Sequence, residues 1–404
     1  MAEPRIERNR LVETACELVD IPSPTGSEQQ IAEHVAEVLN GLGMHVTWQE
    51  VEDGRPNVVG VLHGEGGGRS FMFNGHMDTS YSGREPWLTG KGFKPAADVS
   101  GGAIYGLGIA NMKGALACYI EAVRALRDAR VTLRGDVIIA AVVGEIEKTQ
   151  WGEEFRGKQY RGYAAGSRYL VAHGGVADMC LLGEPTELKL VLGHYGAMWV
   201  RLSTRGPFVH TAFSSGRQSE NAILRLRDVL DAVLEWIPAW EEQSTYRGLR
   251  GVVNVGAIRG GFPWRVSRTP GRADLFLDVR VPPTMAMTEA RTVVADLAGS
   301  LRRRYPDYGV EYEIFVSAPG AEIAEDHPLV QAVAEGHASV HGRRPETDAV
   351  RWFSDASVLS RYGIPTLNYG PSSGLPGSEG ENMDIRALVD TARVYALTVQ
   401  DICG

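Results

Sequence analysis

Hydrophobic and polar positions follow two different rhythms along this chain of 404 residues. In the first half, apolar residues recur at intervals of three and four over 8–18 and 27–42, and this spacing predicts helices. Ser27 stands three residues before Gln30, which fits a helix start with a capping box. Alternation of helix and strand patterns favours a largely parallel sheet with helices on both faces. The pattern further predicts strands over 57–62, 70–74 and 136–143. It predicts a long helix over 111–127.

The second half of the chain opens with a different order of elements. From about Trp199 the pattern is strand, helix, strand, strand, helix, strand, which is the order of a ferredoxin-like unit. The α/β pattern then resumes near residue 328. We therefore predict an α/β fold with a mixed, mostly parallel sheet in a discontinuous domain, residues 1–195 and 320–404. An inserted ferredoxin-like α+β domain, residues 196–319, interrupts it. The inserted elements are predicted at 198–204, 221–236, 252–258, 273–279, 288–304 and 310–316.

The composition of the chain argues against two classes of partner. Lys and Arg number 41 against 50 Asp and Glu, a formal charge of −9, whereas a protein that coats nucleic acid needs a basic face. The longest apolar run, 137–143, has seven residues, far fewer than the roughly 18–20 that cross a bilayer. Four scattered cysteines form no CxxC pair, and the first residues show no secretory leader. We expect a cytoplasmic protein with reduced thiols that binds neither nucleic acid nor membrane.

Candidate chemistry lies at the ends of predicted strands. His76 and Asp78 follow one strand, Glu145 follows the most apolar strand, and Glu184 follows another. Ligands of α/β sheets bind outside the carboxyl ends of strands. Each residue alone also fits a turn histidine or a solvated strand end, but His and Glu from three strand ends together resemble a metal site. Asp78 would then hold the tautomer of His76, and Glu145 is a candidate general base.

Six short motifs carry a resemblance that covers nearly the whole chain. They lie at 75–79, 183–186, 206–210, 278–280, 363–365 and 370–371. In this order they resemble the zinc aminoacylase, acetylornithine deacetylase, succinyl-diaminopimelate desuccinylase and carboxypeptidase G family. The resemblance implies a metal-binding α/β domain and an inserted lid domain that commonly dimerises. We therefore expect a homodimer formed through the lid, residues 196–319.

The chain departs from this family at three metal ligands. The bridging aspartate of the family falls on Asn111, the second glutamate of its Glu-Glu pair on Ile146, and its last histidine on Gly377 or Ser378. All three changes affect the same one of the family's two metal positions, and a neutral amide offsets little of the repulsion between two cations. The resemblance therefore implies a divergent member with a mononuclear site.

The remaining ligands define that hypothesis. His76 and Glu184, with Asn111 or Glu147, would hold one divalent ion, and Zn, Mn and Co suit this donor set about equally. Glu145 occupies the position of the family's catalytic base and would deprotonate the attacking water.

The resemblance also assigns residues of the lid. It implies that His210 reaches the site of a neighbouring subunit and stabilises an oxyanion. It places Asn221 and Arg280 among the substrate-binding residues. Arg265 replaces a carboxylate-binding Asn of the family, and its guanidinium could clamp a carboxylate in two places. Trp264 or Phe262 beside it could stack on a flat substrate or only pack locally.

Three functions are compatible with these residues. The leading hypothesis is a metal-dependent hydrolase of a C–N bond, most simply an amide, in a small carboxylate-bearing molecule similar to an N-acyl-amino acid. One alternative is a hydrolytic deaminase of an aromatic or vinylic amine on the same scaffold. The other is a non-catalytic binding protein that has lost its metals, although the retained acidic and histidine residues favour an enzyme.

Overall fold

The computed structural model describes residues 4–149, 162–373, 377 and 379–404. Ser378, one candidate position for the missing histidine, therefore lies outside the described residues. The helices are α1 Arg8–Asp20, α2 Gln29–Gly41, α3 Gly114–Asp128, α4 Ala165–Ala172, α5 Ala222–Gln243, α6 Met287–Arg304, α7 Pro328–His341, α8 Ala356–Leu359 and α9 Ile385–Cys403. The strands are β1 His45–Glu52, β2 Arg55–Leu62, β3 Phe71–His76, β4 Asp98–Ser100, β5 Ala103–Tyr105, β6 Val137–Val142, β7 Met179–Leu182, β8 Leu190–His194, β9 Gly196–Arg205, β10 Val253–Gly260, β11 Arg272–Val281, β12 Glu311–Ala318, β13 Ala321–Glu322, β14 Thr347–Val350, β15 Thr366–Asn368 and β16 Asn382–Asp384.

The chain divides into two compact units. The first contains Met1–Leu192, Glu322–Asp348 and Ser354–Gly404. The second, which we call the lid, contains Gly193–Ala321 and the short segment Ala349–Phe353. The lid is therefore made of two pieces of chain that are separated in sequence.

A mixed sheet organises the first unit, as the sequence predicts. Its strands follow the order β1-β2-β6-β3-β7-β15-β8-β13, and β14 pairs with β8. The central strands β6, β3, β7 and β15 are parallel to one another, whereas the pairs β1–β2, β2–β6 and β15–β8 are antiparallel. The central strands are buried along their whole length, because helices cover parallel strands on both faces.

The helix α3 forms much of the core of the first unit. It is apolar around most of its circumference and buried at 12 of its 15 residues, and it packs against α1, α9, β3 and β6. Rings of Phe73, Tyr119 and Tyr395 lie 4.6–5.4 Å apart between these elements. This close packing fixes the ends of the central strands.

The lid confirms the predicted β-α-β-β-α-β order. Its four strands are arranged β10-β11-β9-β12 and pair antiparallel throughout. Strand β11 alternates strictly between buried and partly exposed residues, which is the period expected for a sheet with one face against helices. The helices α5 and α6 supply that cover.

The helix predicted from Asn111 begins later in the structure. Helix α3 starts at Gly114, and Asn111 has φ −129° and ψ 92°, outside the helical region. The half-buried carboxylate of Glu381 binds this segment. It accepts hydrogen bonds from the backbone N–H groups of Gly108, Ala110 and Asn111 at 3.0, 3.2 and 3.3 Å. The segment Ile109–Lys113 forms a single irregular turn of π-helix ahead of α3.

The predicted capping box at Ser27 is wrong. Helix α2 begins at Gln29, and its N-cap residue Glu28 makes no capping hydrogen bond to the helix. The Glu28 carboxylate instead binds Gly26 and Arg55. The side chain of Glu28 thus makes tertiary contacts and does not cap the helix.

Among the described residues, no helix combines the length and the apolar character needed to cross a membrane.

Candidate metal centre

Three neighbouring strand ends bring the predicted residues together. His76 is the last residue of β3, where it pairs with Val142 of β6. Glu145 follows β6, and Glu184 follows β7, the strand on the other side of β3. Because these strands are parallel neighbours, their carboxyl ends meet at one edge of the sheet.

Close packing behind these strand ends requires small residues. The Tyr119 hydroxyl donates to the carbonyl of Asn74 at 2.9 Å and accepts from the N–H of Gly183 at 2.6 Å, so it joins the ends of β3 and β7. A Cβ atom on Gly183 would lie 2.5 Å from Ala115 and 2.8 Å from the Tyr119 and Tyr395 hydroxyls. The glycine of this motif is therefore needed so that the next residue, Glu184, reaches the site.

Three buried side chains form a compact donor set. His76, Glu145 and Glu184 offer ligand atoms that all lie within 4.8 Å of one another. The His76 Nε2 atom is 3.7 Å from Glu145 Oε2 and 3.8 Å from Glu184 Oε1. The Asn111 Oδ1 atom lies 2.7 Å from the same Nε2. Four candidate ligands therefore converge on one point.

Asp78 fixes the orientation of His76. The His76 Nδ1 atom lies 2.9 Å from the Asp78 carbonyl oxygen and 3.5 Å from its Oδ1. The Asp78 carboxylate itself accepts from the N–H groups of Glu145 at 3.0 Å and Ile146 at 3.3 Å and from the Thr25 hydroxyl at 2.9 Å. Since Nδ1–H faces two acceptors, the Nε2 lone pair points at the donor set.

Burial and the neighbouring charges shift the pKa values of the site. Burial raises the pKa of Glu145 well above its ordinary value, because the charge of His76 offsets only part of that cost. Burial also raises the pKa of Glu184. For His76 burial lowers the pKa, but the hydrogen bond with Asp78 and the surrounding carboxylates outweigh burial, and the pKa is raised. The pKa of Asp78 is lowered, since its hydrogen bonds to His76 and to backbone N–H groups outweigh burial.

These residues fit a divalent cation. The Asn111 Oδ1 atom and the His76 Nε2 lone pair are both acceptors, yet they lie 2.7 Å apart. A protonated imidazole, a rotated amide or a shared cation would each relieve that conflict. A rotated amide would leave the repulsion between Glu145 and Glu184, which approach the same atom, whereas either positive charge would offset it, and a divalent cation carries twice the charge of an imidazolium. Nitrogen and carboxylate ligands suit Zn, Mn and Co.

Glu147 is the alternative to Asn111 among the predicted metal ligands. It is half-buried, and the cluster of candidate ligands in the described part of the chain does not include it. Ile146, at the position of a family ligand, is buried and apolar. A role of Glu147 as a metal ligand stays a prediction.

Sequence reasoning missed two acidic residues beside the site. Asp355 is buried directly before α8, close enough to raise the pKa of Glu145, and burial raises its own pKa to about 7. Glu381 holds the segment that carries Asn111. The signal for Asp355 in the sequence, an Asp before a short apolar run, is an ordinary helix-start pattern. Glu381 stands close after the positions compared with the missing histidine and gave no signal of its own.

Two segments of the lid pair with each other and carry His210 and Arg265. The bridge between His210 and Arg268 and the bond from the Thr211 N–H to the Ser267 carbonyl at 2.9 Å join them. The His210 Nδ1 atom accepts from the N–H of Ala212 at 3.2 Å. A neutral His210 therefore carries its proton on Nε2, which makes that atom a hydrogen-bond donor. Arg265 is exposed at the end of a short turn.

The other two predicted lid residues have structural contacts. The Asn221 Oδ1 atom accepts from the N–H of Ile223 at 2.9 Å and caps α5. The Arg280 guanidinium lies 2.8 Å from the Asp278 carboxylate on the same strand. Their roles in substrate binding stay predictions.

An exposed aromatic cluster lies on the same lid segments. The rings of Phe262 and Trp264 are 5.4 Å apart, and Phe208 lies 6.5 Å from Phe262. The Arg268 guanidinium lies 5.2 Å above the Phe208 ring. Trp264 is 77% exposed, which is unusual for a residue of this size.

Comparison with known sequences gives one family and several enzymes. The model of peptidase family M20/M25/M40 matches residues 72–401. The chain is 24% identical to the N-formyl-4-amino-5-aminomethyl-2-methylpyrimidine deformylase of Bacillus subtilis, over 96% of this chain and 93% of that protein. It is 25% identical to an acetylornithine deacetylase of Klebsiella pneumoniae, over 96% of each protein. It is 27% identical to a succinyl-diaminopimelate desuccinylase of Gluconacetobacter diazotrophicus, over 96% of each.

Comparison with solved structures supports the fold. A tripeptidase from Staphylococcus aureus superposes with a TM-score of 0.77 at 19% identity, over 98% of this chain and 99% of that one. A dinuclear metal-binding peptidase of the M20 family from Bacillus subtilis superposes with a TM-score of 0.64 at 15% identity, over 98% of each. At these identities the likeness concerns the fold alone.

Proposed function

The chain belongs to peptidase family M20/M25/M40 and is an amidohydrolase, and on this premise we propose that it hydrolyses an amide bond in a small carboxylate-bearing, N-acyl-amino-acid-like molecule. The observation that carries the proposal is the buried convergence of His76, Glu145 and Glu184 on one point. A buried imidazole among carboxylates at the mouth of parallel strands is a costly arrangement that a hydrolytic metal site explains.

His76, Glu184 and Asn111 would hold the cation. When bound, a divalent cation supplies a Lewis acid that lowers the pKa of a water molecule and polarises the amide carbonyl. Glu145 then takes the proton of the attacking water and delivers it to the nitrogen of the leaving amine. Asp78 keeps the His76 Nε2 lone pair available throughout, because it binds the opposite side of the ring.

We propose that one cation, Zn, Mn or Co, occupies the site. A second cation nearby would need an anionic bridge, and Asn111 provides a neutral oxygen. It would also need a ligand where the buried, apolar Ile146 lies. The similarity to a dinuclear peptidase at 15% identity does not decide the number of ions.

The lid would supply the remaining groups. His210 offers a donor at Nε2 for the oxyanion that forms when water attacks the carbonyl. Arg265 would bind a carboxylate of the substrate through two parallel hydrogen bonds. The assignment of both residues follows their family positions; Arg265 is exposed, and His210 is half-buried.

The exposed aromatic cluster favours a second candidate, hydrolytic deamination of an aromatic amine. Phe262 and Trp264 could stack on a flat ring while Arg265 binds its carboxylate. A panel of N-acyl-amino acids and aminobenzoates separates the two reactions by product. Release of a carboxylic acid supports amide hydrolysis, and release of ammonia from an aminobenzoate supports deamination.

We further propose that the protein is a homodimer formed through the lid. Strand β10 lies at one edge of the lid sheet, and Ile258 on it is 57% exposed. Helix α5 exposes Leu234. An apolar edge strand is a template for pairing with another chain.

Metal content together with the Glu145→Gln variant tests the proposed reaction. We expect about one ion per chain by elemental analysis and loss of activity on chelation. Glu145→Gln should lower kcat by roughly a hundredfold or more, because it removes the proton acceptor, and should keep the bound ion.

Two tightly held ions per chain would contradict the mononuclear site. A Glu145→Gln variant with nearly normal turnover would exclude Glu145 as the base. A comparison variant is Glu381→Gln, which changes a half-buried carboxylate outside the donor set; it should reduce metal occupancy more than kcat at saturating metal.

A further inference from the structure

An N-terminal segment lies directly against the strand end that carries His76 and Asp78. Residues 23–25 run alongside 77–79, with a bond from the Thr79 N–H to the Ser23 carbonyl at 2.8 Å and one from the Thr25 N–H to the Thr79 carbonyl at 3.2 Å. The Ser23 hydroxyl donates to the Met77 carbonyl at 2.7 Å. This segment precedes the residues that the family model matches, 72–401. Its contribution to the site therefore has to be read from the structure.

The side chain of Thr25 reaches the aspartate behind the metal ligand. Its hydroxyl donates to Asp78 Oδ2 at 2.9 Å, and both residues are buried. The backbone N–H groups of Glu145 and Ile146 bind the same carboxylate. The Asp78 carboxylate is thus held by three donors and can present Oδ1 to His76 in one orientation.

A buried ion pair fixes the turn that carries Thr25. The guanidinium of Arg55 donates to Glu28 through Nε at 2.8 Å and Nη2 at 2.6 Å, a two-point contact, and its Nη1 donates to Glu52 at 2.8 Å. Glu28 also accepts from the Gly26 N–H at 3.1 Å. Both partners are fully buried, so the pair pays a large desolvation cost. Its geometry connects β2 to the residue after Thr25.

We propose that Thr25, held by the Glu28–Arg55 pair, is a positioning residue for the metal ligand His76. The inference rests on the proposed metal site, since it concerns how tightly that site binds a cation. Without the Thr25 hydroxyl, Asp78 Oδ2 becomes a buried oxygen with one donor fewer, and the carboxylate can turn. His76 then loses part of its fixed orientation. Partners behind metal-binding histidines typically change metal affinity by about 10–100-fold.

The test compares three variants of the full chain. Thr25→Val removes the hydroxyl at nearly constant volume, and Thr25→Ser keeps it. Thr398→Val is the matched control, because Thr398 is equally buried and donates to a backbone carbonyl at 2.9 Å within α9. Zn²⁺ affinity is measured by competition with a coloured chelator, and Tm is measured on chelator-treated protein.

The expected result separates positioning from stability. Thr25→Val should bind Zn²⁺ about 10–100-fold more weakly, whereas Thr25→Ser and Thr398→Val should bind it as the parent does. Both valine variants should keep the fold, and Thr25→Val should lower Tm more than Thr398→Val, since it removes a donor from a buried carboxylate. Equal Zn²⁺ affinity of Thr25→Val and the parent overturns the inference. A parent that binds no Zn²⁺, Mn²⁺ or Co²⁺ overturns the proposed function instead.

A second variant covers the case in which Thr25→Val does not fold. Arg55→Lys keeps the positive charge but cannot make the two-point contact with Glu28. We expect weaker Zn²⁺ binding here as well, with kcat at saturating Zn²⁺ less affected than Zn²⁺ affinity. Unchanged Zn²⁺ affinity of folded Arg55→Lys contradicts the inference.

Discussion

His194 illustrates how one buried side chain links stability to pH. It lies at the end of β8, is almost fully buried, and its Nδ1 atom is 2.8 Å from the Tyr195 carbonyl. Burial lowers its pKa to about 4, against an ordinary value of 6.5. Between these values the unfolded chain binds a proton that the folded chain does not, so the free energy of unfolding falls as the pH falls. The difference between the two pKa values corresponds to a change of about 3 kcal/mol at most in the free energy of unfolding.

We predict that His194→Asn flattens the dependence of stability on pH between about 6.5 and 4. The Asn amide can still donate to the Tyr195 carbonyl, but it does not titrate. Urea unfolding at several pH values measures the slope. Burial also lowers the pKa of His337 to about 4, so part of the dependence should remain.

The control for this prediction is His45→Asn at an exposed position, which should keep the parental slope. An unchanged slope in His194→Asn would show that His194 is charged in the folded protein.

At the scale of elements, the ends of three strands determine where the candidate metal site lies. Parallel neighbours β6, β3 and β7 deliver their next residues to one edge, and a single core helix, α3, packs behind them. The two glycines Gly75 and Gly183 leave room for that helix, since a Cβ at either position would press on Tyr119. The geometry of the metal centre therefore depends on packing in the core as much as on the ligands.

Gly183→Ala tests this dependence on packing. The new methyl group would lie within 3 Å of Tyr119, Tyr395 and Ala115, so we expect a loss of about 1–3 kcal/mol in stability and weaker metal binding through displacement of Glu184. Denaturant unfolding and a metal titration measure the two effects. Gly41→Ala is the control, because nothing lies within 4 Å of a Cβ there and stability should be unchanged or slightly higher.

Periodicity alone predicted most of these elements, and it failed where tertiary contacts replace local rules. The mixed sheet and the ferredoxin-like order follow from spacing that extends over whole elements. The start of α3 could not be predicted, because Glu381 holds the Asn111 segment from 270 residues away. The capping box at Ser27 failed for the same kind of reason, since Glu28 binds Arg55.

The residues of the candidate site were likewise predictable only in part. Motifs identified His76, Glu145 and Glu184, because each lies at the end of a strand or shortly after it. Asp355 and Thr25 carry no comparable signal, and only the folded chain brings them to the site.

At the scale of the whole molecule, the proposed dimer makes catalysis depend on two chains. If His210 acts in the site of the partner subunit, a variant lacking His210 and one lacking Glu145 should complement each other. A purified heterodimer of His210→Ala and Glu145→Gln would contain one complete site and one doubly altered site. We therefore expect about half the activity of the parental dimer, from two variants that are nearly inactive alone.

Rates of the heterodimer and of each homodimer, with mass measured by light scattering, provide the readout. A heterodimer as inactive as its parents would mean that His210 serves its own chain. Ile258→Asp on the edge strand β10 should give monomers; dimers that persist would place the interface elsewhere.

The way in which the lid is inserted affects how substrate specificity could be transferred from one member of this family to another. Strands β8 and β13, where the chain enters and leaves the lid, are neighbours in one sheet, and the Ile323 N–H donates to the Leu192 carbonyl at 2.9 Å. A foreign lid could thus be grafted onto these two neighbouring strands. The segment Ala349–Phe353 also belongs to the lid, through the Tyr195 N–H bonded to the Val350 carbonyl at 3.0 Å. A working chimera must therefore transplant two stretches of donor sequence together.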